Sequence, residues 1–276
     1  MKRLHLIALG VGCLLLQGAY AQESLPFYGG FNYTQGDLLG TGTAELNPPW
    51  SVGAAGGGGS PMVTNTAALS YPGLPGSGLG VYLQPTMTGT RNVGLNFTSE
   101  SSGTLYASFL MDVLTAPTGN RQLAFLTSSS ANSANGTVNG IFLNSSSQLG
   151  ISKNSSSTPG ALTSATLNLN TTYLVVVGYT FNGSGNEYDL WLDPTPGGSQ
   201  PTPDASLTTG TDMASLSYFF LQQRNNTSNN GMAWYFDELR IGTSWADVTA
   251  VPEPTSFAAL TGLSVLGMIL VRRMRR

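Results

Sequence analysis

The stretch YLVVVGYTFNGSGNEYDLWLDP, Tyr173 to Pro194, decides the fold class. Tyr173, Val175, Val177, Tyr179 and Phe181 alternate along the chain, and a period of two places them on one face of a β-strand. Leu174 and Val176 make the reverse face apolar as well, which predicts a strand at the middle of a sheet rather than at its edge. Asn182-Gly183-Ser184-Gly185-Asn186 then supplies residues that tolerate positive φ, the chemistry of a hairpin turn. The chain returns as Glu187 to Asp193 and Pro194 closes it, because proline cannot donate to a ladder.

The same pattern extends in both directions. Leu105, Ala107, Phe109, Met111 and Val113 share one face of a further strand, and a last strand runs from Met232 to Ile241. Shorter strand candidates are Gly80–Gln84, Asn92–Phe97, Leu123–Leu126, Gly140–Leu143, Leu149–Ser152, Ala161–Leu169 and Ser217–Gln222. No stretch of residues 22–251 keeps a helical period, and turn residues separate the strands. These features predict a single all-β sandwich of the jelly-roll type over residues 22–250. No internal repeat aligns, which argues against a propeller or solenoid. Gly53–Ser60, Ser128–Asn139 and Pro194–Pro203 read as low-complexity loops free to move, and Gln22–Leu25 as a short leader.

Composition narrows the chemistry further. The only cysteine, Cys13, and the only histidine, His5, both fall within the first 21 residues. Without them the remainder can hold no disulfide, no Ser-His-acid triad, no Cys-His nucleophile and no His/Cys metal centre. Arg91, Arg121, Lys153, Arg224 and Arg240 are its only cations, whereas of 14 Asp and Glu in the chain only Glu253 lies in the C-terminal tail. An acidic surface with no cationic cluster repels nucleic acid. What remains is carboxylate work: acid/base pairs or oxygen-ligand calcium.

Alternation gathers Glu187, Asp189, Trp191 and Asp193 on one strand face, opposite Tyr188, Leu190 and Leu192. An aromatic ring beside carboxylates makes these four the candidate glycan contacts. The alternative is a polar outer hairpin face with Trp191 packed across a neighbour. Asp237-Glu238 is the second acidic pair, with Phe236 and Glu238 alternating against Asp237 and Leu239. Calcium there would need further ligands such as Asp37 or Asp193, and calcium is the one cofactor left open. No residue is assigned as catalytic or as a metal ligand. Trp50 falls in a loop and reads as exposed, Trp234 as core, and Trp245 as a cap on the end of the sandwich.

Both ends carry transport signals. Met1-Lys2-Arg3, the apolar Leu4–Leu16 and the small-x-small Ala19-Tyr20-Ala21 form a secretory signal peptide, cleaved before Gln22. At the other end, residues 251–276 combine Pro252-Glu253-Pro254, an apolar run from Phe257 to Val271, and Arg272, Arg273, Arg275 and Arg276. The run holds 15 uncharged residues, short of the ~20 that cross a bilayer comfortably, which suits a transient apolar helix with the arginines retained on the cytoplasmic side.

The tail resembles a PEP-CTERM sorting signal. That resemblance implies a surface protein of a Gram-negative bacterium, held as a membrane-anchored precursor and processed by an exosortase-type membrane protease, its partner. The body carries a second resemblance. Phe31-Asn32-Tyr33, Gly36-Asp37-Leu38-Leu39-Gly40, Trp50, Tyr188–Pro194 and Phe236–Gly242 with Trp245 are similar to concanavalin A-like (laminin G-like) jelly rolls over most of residues 26–248. That superfamily holds lectins, glucanases and adhesive modules. It implies a non-catalytic cell-surface or extracellular-matrix component in contact with polysaccharide, and as the alternative a glucanase-type glycoside hydrolase using Glu187 and Asp189. The latter departs from the glucanase Glu-x-Asp-x-x-Glu pattern, because Leu190, Trp191 and Leu192 leave no second glutamate to serve as general acid.

Overall fold

The computed structural model describes residues 22–33, 50–52, 62–74, 76–83, 91–129, 138–153, 157–223 and 232–250. Ala19 and Ala21, Asp37, the Pro252–Pro254 triplet, the apolar run and the terminal arginines all lie outside these residues. Among the described residues no helix is long and apolar enough to cross a membrane.

Strands dominate. One sheet of eight contains β1 (Phe27–Gly29), β3 (Met62–Ala67), β4 (Leu79–Leu83), β6 (Gly103–Thr115), β11 (Thr172–Phe181), β12 (Glu187–Leu192), β13 (Ala205–Leu207) and β15 (Ala233–Gly242). Its order is β13-β12-β11-β6-β15-β4-β3, with β1 also paired to β15. A sheet of seven holds β2 (Ser51–Val52), β5 (Arg91–Glu100), β7 (Arg121–Thr127), β8 (Asn139–Leu143), β9 (Leu149–Lys153), β10 (Ala161–Leu162) and β14 (Leu216–Gln223), in the order β10-β9-β8-β7-β14-β5-β2. Among the described residues the one helix, α1 (Trp245–Thr249), is short and follows β15. This is the all-β sandwich expected from the sequence.

The decisive hairpin sits where its pattern places it. β11 is flanked by β6 and β12, with Val177 opposite both Ala107 and Leu190, and Gly183 and Gly185 turn the chain at φ of 77° and 70°. Its odd-numbered face enters the core between the sheets. There Phe109, Phe219 and Phe236 close a triangle, with ring centroids 5.0 Å (Phe109–Phe236), 6.0 Å (Phe219–Phe236) and 6.2 Å (Phe109–Phe219) apart. With no disulfide, this contact between sheets carries the cohesion of the fold.

Leu174 and Val176, on the other face of β11, join a second cluster with Tyr106, Leu110, Trp191 and Val248. It lies on the outer face of the eight-stranded sheet and needs a lid. Helix α1 supplies part of one. Ser244 caps it in a reciprocal box with Asp247, Ser244 Oγ accepting the Asp247 N–H at 3.2 Å and Asp247 Oδ2 accepting the Ser244 N–H at 2.9 Å. Ser108 Oγ donates to the Val248 carbonyl at 2.6 Å and pins the helix to the sheet.

Several expectations are corrected. Trp50 is not exposed: it is buried, stacked on Phe31 at 5.7 Å. Residues 194–203 are not a loose loop, since Pro201 accepts Trp191 Nε1–H, Gly198 accepts Trp245 Nε1–H, and Gly197 N–H reaches the Thr249 carbonyl. The leader is tied down too, with Glu23 bridged to Phe97 and Gln22 Nε2 donating to the Phe97 carbonyl at 2.7 Å. Of Ala161–Leu169 only Ala161–Leu162 is strand. The alternation assumed in the last strand is broken by a bulge between Asp237 and Arg240, at which Glu238 adopts φ 55°. Inward positions therefore run Trp234, Phe236, Leu239, Ile241, and Glu238 does not follow Phe236 into the core.

Candidate functional site

Three of the four candidate glycan contacts, Glu187, Asp189 and Trp191, share a strand face on the outer side of the eight-stranded sheet, and Asp193 follows the strand's end. Trp191, however, is 1% exposed. It packs on Tyr106 and, at 5.0 Å, edge-on to Trp245, and its indole N–H is spent on Pro201. A ring so enclosed offers no stacking platform. Asp189 is 9% exposed beside it; burial pushes its carboxyl above the ordinary value, against the pull of a Ser206 hydrogen bond. Glu187 Oε1 accepts the Ser206 hydroxyl at 3.0 Å. Asp193 turns the chain at φ 53° and accepts the Leu174 N–H at 2.9 Å. The polar outer hairpin face, with Trp191 packed across its neighbours, is what the fold contains.

The Asp237-Glu238 pair is buried because the bulge turns both carboxylates away from the core and under residues 68–78. Asp237 accepts N–H groups from Leu69 and Glu238, both at 2.8 Å. Glu238 accepts the Ser77 N–H at 2.7 Å, the Tyr28 hydroxyl at 2.8 Å and Arg240 at 3.1 Å. Arg240 in turn lies over the Tyr28 ring at 5.0 Å. With its oxygens engaged by N–H and O–H donors, the pair works as a clasp holding residues 68–78 onto the sheet. Among the described residues no three His, Cys, Asp or Glu side chains gather to hold a metal.

A different surface has the chemistry of a site: the outer face of the seven-stranded sheet. Val93, Leu95, Phe219, Leu221, Leu126 and Ile141 point into the core, so their alternating neighbours point outward. Strand register aligns Gly94, Phe220, Phe125, Gly140 and Ser152 in one row across five strands. Asn92 stands opposite Gln222 on one side of this row, and Asn96, Tyr218 and Thr127 form a row on the other. The rings of Phe125, Phe220 and Tyr218 stack nearly parallel, 5.0 Å apart at 17° and 5.9 Å apart at 20°.

Two glycines make this arrangement possible. A Cβ on Gly94 would stand 2.2 Å from the Phe220 ring, and one on Gly140 would meet Phe142 at 2.4 Å and Gln122 Nε2 at 2.8 Å. The bare backbone lets ring and amide lie flat over the strands. The amides are the unusual part. Asn92 is fully buried, yet neither Nδ2 nor Oδ1 has a hydrogen-bond partner, and Gln122 Nε2 is likewise orphaned. Each such group costs about 1–3 kcal/mol in a folded chain. Amides carry paired donors and acceptors without charge, whereas the stacked Phe125 and Phe220 rings, 2% and 0% exposed, are as enclosed as Trp191. Only Tyr218 and Asn96 of these rows are partly exposed, so a ligand offering hydroxyls and C–H faces would enter there. These rows contain no carboxylate, thiol or imidazole; their hydroxyls are those of Thr127, Ser152 and Tyr218.

Sequence reading missed this face. Its signal was present, as amides alternating with core residues in Asn92–Phe97 and in Phe220-Leu221-Gln222, but alternation alone does not say which polar side chains find partners.

No family model and no curated protein sequence matches the chain. Among solved structures it is similar to the cellulose-induced protein Cip1, at 13% identity and TM-score 0.47, over 71% of this chain and 91% of that one. It is also similar to the metal-free carbohydrate recognition domain of Emp46p, at 12% identity and TM-score 0.45, over 77% and 97%. Lectin I-B4 from Griffonia simplicifolia, metal-free, aligns at 10% identity and TM-score 0.43, over 76% and 99%.

Proposed function

We propose that the protein is a non-catalytic polysaccharide-binding component of the cell surface or extracellular matrix, and that the amide–aromatic face of the seven-stranded sheet is its contact. The fully unpartnered Asn92 amide carries this reading. A buried amide without a partner is a standing cost, and a hydroxyl-rich ligand that entered past the partly exposed Tyr218 and Asn96 would remove it. The secretory signal ending at Ala21, the Pro252-Glu253-Pro254 tail and exosortase processing complete the proposal by placing the protein outside the cell.

The test is Asn92→Leu, which keeps the side-chain volume and deletes the orphaned groups. Stability should rise by about 1 kcal/mol, because a buried unsatisfied amide is lost. Retention on an array of neutral polysaccharides should fall about tenfold or more, equivalent to at least ~1.4 kcal/mol. Opposite signs for stability and binding mark a functional residue. If the unaltered protein retains no polysaccharide, or Asn92→Leu retains it equally well, the proposal fails.

A further inference from the structure

A cavity opens beside the hairpin turn between β11 and β12. It has a volume of about 310 Å³ and is lined in part by Ser101, Phe181, Asn186, Asp212 and Met213. None of these residues belongs to the sheet face described above.

Its walls are unusually well fixed. Lys153, the last residue of β9, is buried with all three ammonium protons engaged: by the Asn186 carbonyl, by the Thr208 carbonyl at 3.1 Å and by Asp212 Oδ1 at 2.5 Å. Asp212 also receives N–H groups from Gly185 at 2.8 Å and Asn186 at 3.1 Å. The Asn186 amide donates to Tyr179 Oη and to the Met213 carbonyl, and accepts the Asn182 N–H. One cation thus locks β9, the hairpin turn and residues 208–213 into a single rigid rim. Asp212 nevertheless stays one-third exposed, and its Oδ2 takes only the Gly185 N–H. An acceptor held this firmly, beside the Phe181 ring and the Met213 side chain, is pre-organised for a ligand.

We infer that this cavity binds a single neutral pyranose-sized sugar, accepting its hydroxyls on Asp212 Oδ2 and seating its apolar face against Phe181 and Met213. The excess positive charge is already spent within the rim, so an anionic ligand would find no free cation there. The inference rests on the carbohydrate reading above but uses separate residues, and the two can fail independently. A cavity of this volume lies at the small end of ligand sites, enough for one ring and not for a chain.

The experiment titrates the full-length protein, carrying methyl-labelled methionine, with millimolar methyl glycosides of glucose, galactose and mannose, and follows the Met213 methyl resonance. At least one glycoside should shift it saturably. Ala214→Trp fills the mouth of the cavity without touching the Lys153 contacts; it should weaken that binding about tenfold or more and leave the melting temperature unchanged. Asn92→Leu should leave the Met213 response intact. No saturable shift with any of the three sugars overturns the inference even if polysaccharide retention through Asn92 persists. A shift that survives Ala214→Trp overturns it as well.

Discussion

Asp237 shows how one side chain can tie stability to pH. Burial raises its carboxyl to about 8, the neighbouring Glu238 charge adds to the rise, and N–H bonds from Glu238 and Leu69 oppose it. Between the ordinary carboxylate range and about 8, the folded chain holds a proton that the unfolded chain releases. This residue's contribution therefore turns against the fold as pH climbs from about 4 to 8, by up to ~1.4 kcal/mol per pH unit. Asp237→Asn cannot ionise. Its penalty, set by the imperfect amide replacement, should shrink steadily in urea melts run from pH 5 to pH 8. A penalty constant across that range would mean that Asp237 is already charged at pH 5. The acidic pair was legible in the sequence as a pair, but the bulge was not. A left-handed glutamate leaves no mark on residue type, and the shift from Phe236 to Leu239 on the inner face follows from it.

At the scale of elements, strict alternation was a dependable guide and burial from outside was not. Residues of β6 and β11 obey a period of two because both faces meet neighbours of fixed spacing, so the sequence assigned each side chain to its face. The same rule put Trp191 on an outer face, as observed, and left open whether it met a glycan or packed across a neighbour; the fold contains the second. The cover comes from residues 194–203 and α1, segments with no periodicity that dock through carbonyls of Pro201 and Gly198 rather than through apolar pattern. Trp191→Ala should therefore destabilise by about 3–5 kcal/mol, as a core truncation does, with Val248 and Tyr106 losing their packing. Urea denaturation decides the matter: a solvent-facing ring would cost no more than about 0.5 kcal/mol.

For the whole molecule, the two sheets treat their outer faces differently. The eight-stranded sheet is closed by a second apolar cluster, a capped helix and the Asp237–Glu238 clasp. The seven-stranded sheet carries stacked rings and unsatisfied amides. A chain with a single cysteine, Cys13, can form no internal disulfide and had to find its cohesion in the shared core, and that requirement was readable from composition alone. Which outer face carries stacked rings and unpartnered amides was not, because it depends on register between strands far apart in sequence. Export and sorting rest on the two termini. Replacing Pro252-Glu253-Pro254 by alanines should leave a full-length, membrane-retained form on a blot of cell fractions; unchanged processing would count against the sorting proposal.

The position of β15 has a mechanical consequence. This strand is bonded to β6 along one edge and to β4 and then β1 along the other, and α1 follows it directly toward the C-terminal segment. Tension applied through the tail enters the sandwich along the axis of an interior strand. Hydrogen bonds that lie across that axis on both edges are loaded together, in shear, and must rupture as a group rather than unzip singly. A molecule tethered by its tail and holding a polymer on the opposite sheet would thus bear force through a strand bonded along both edges.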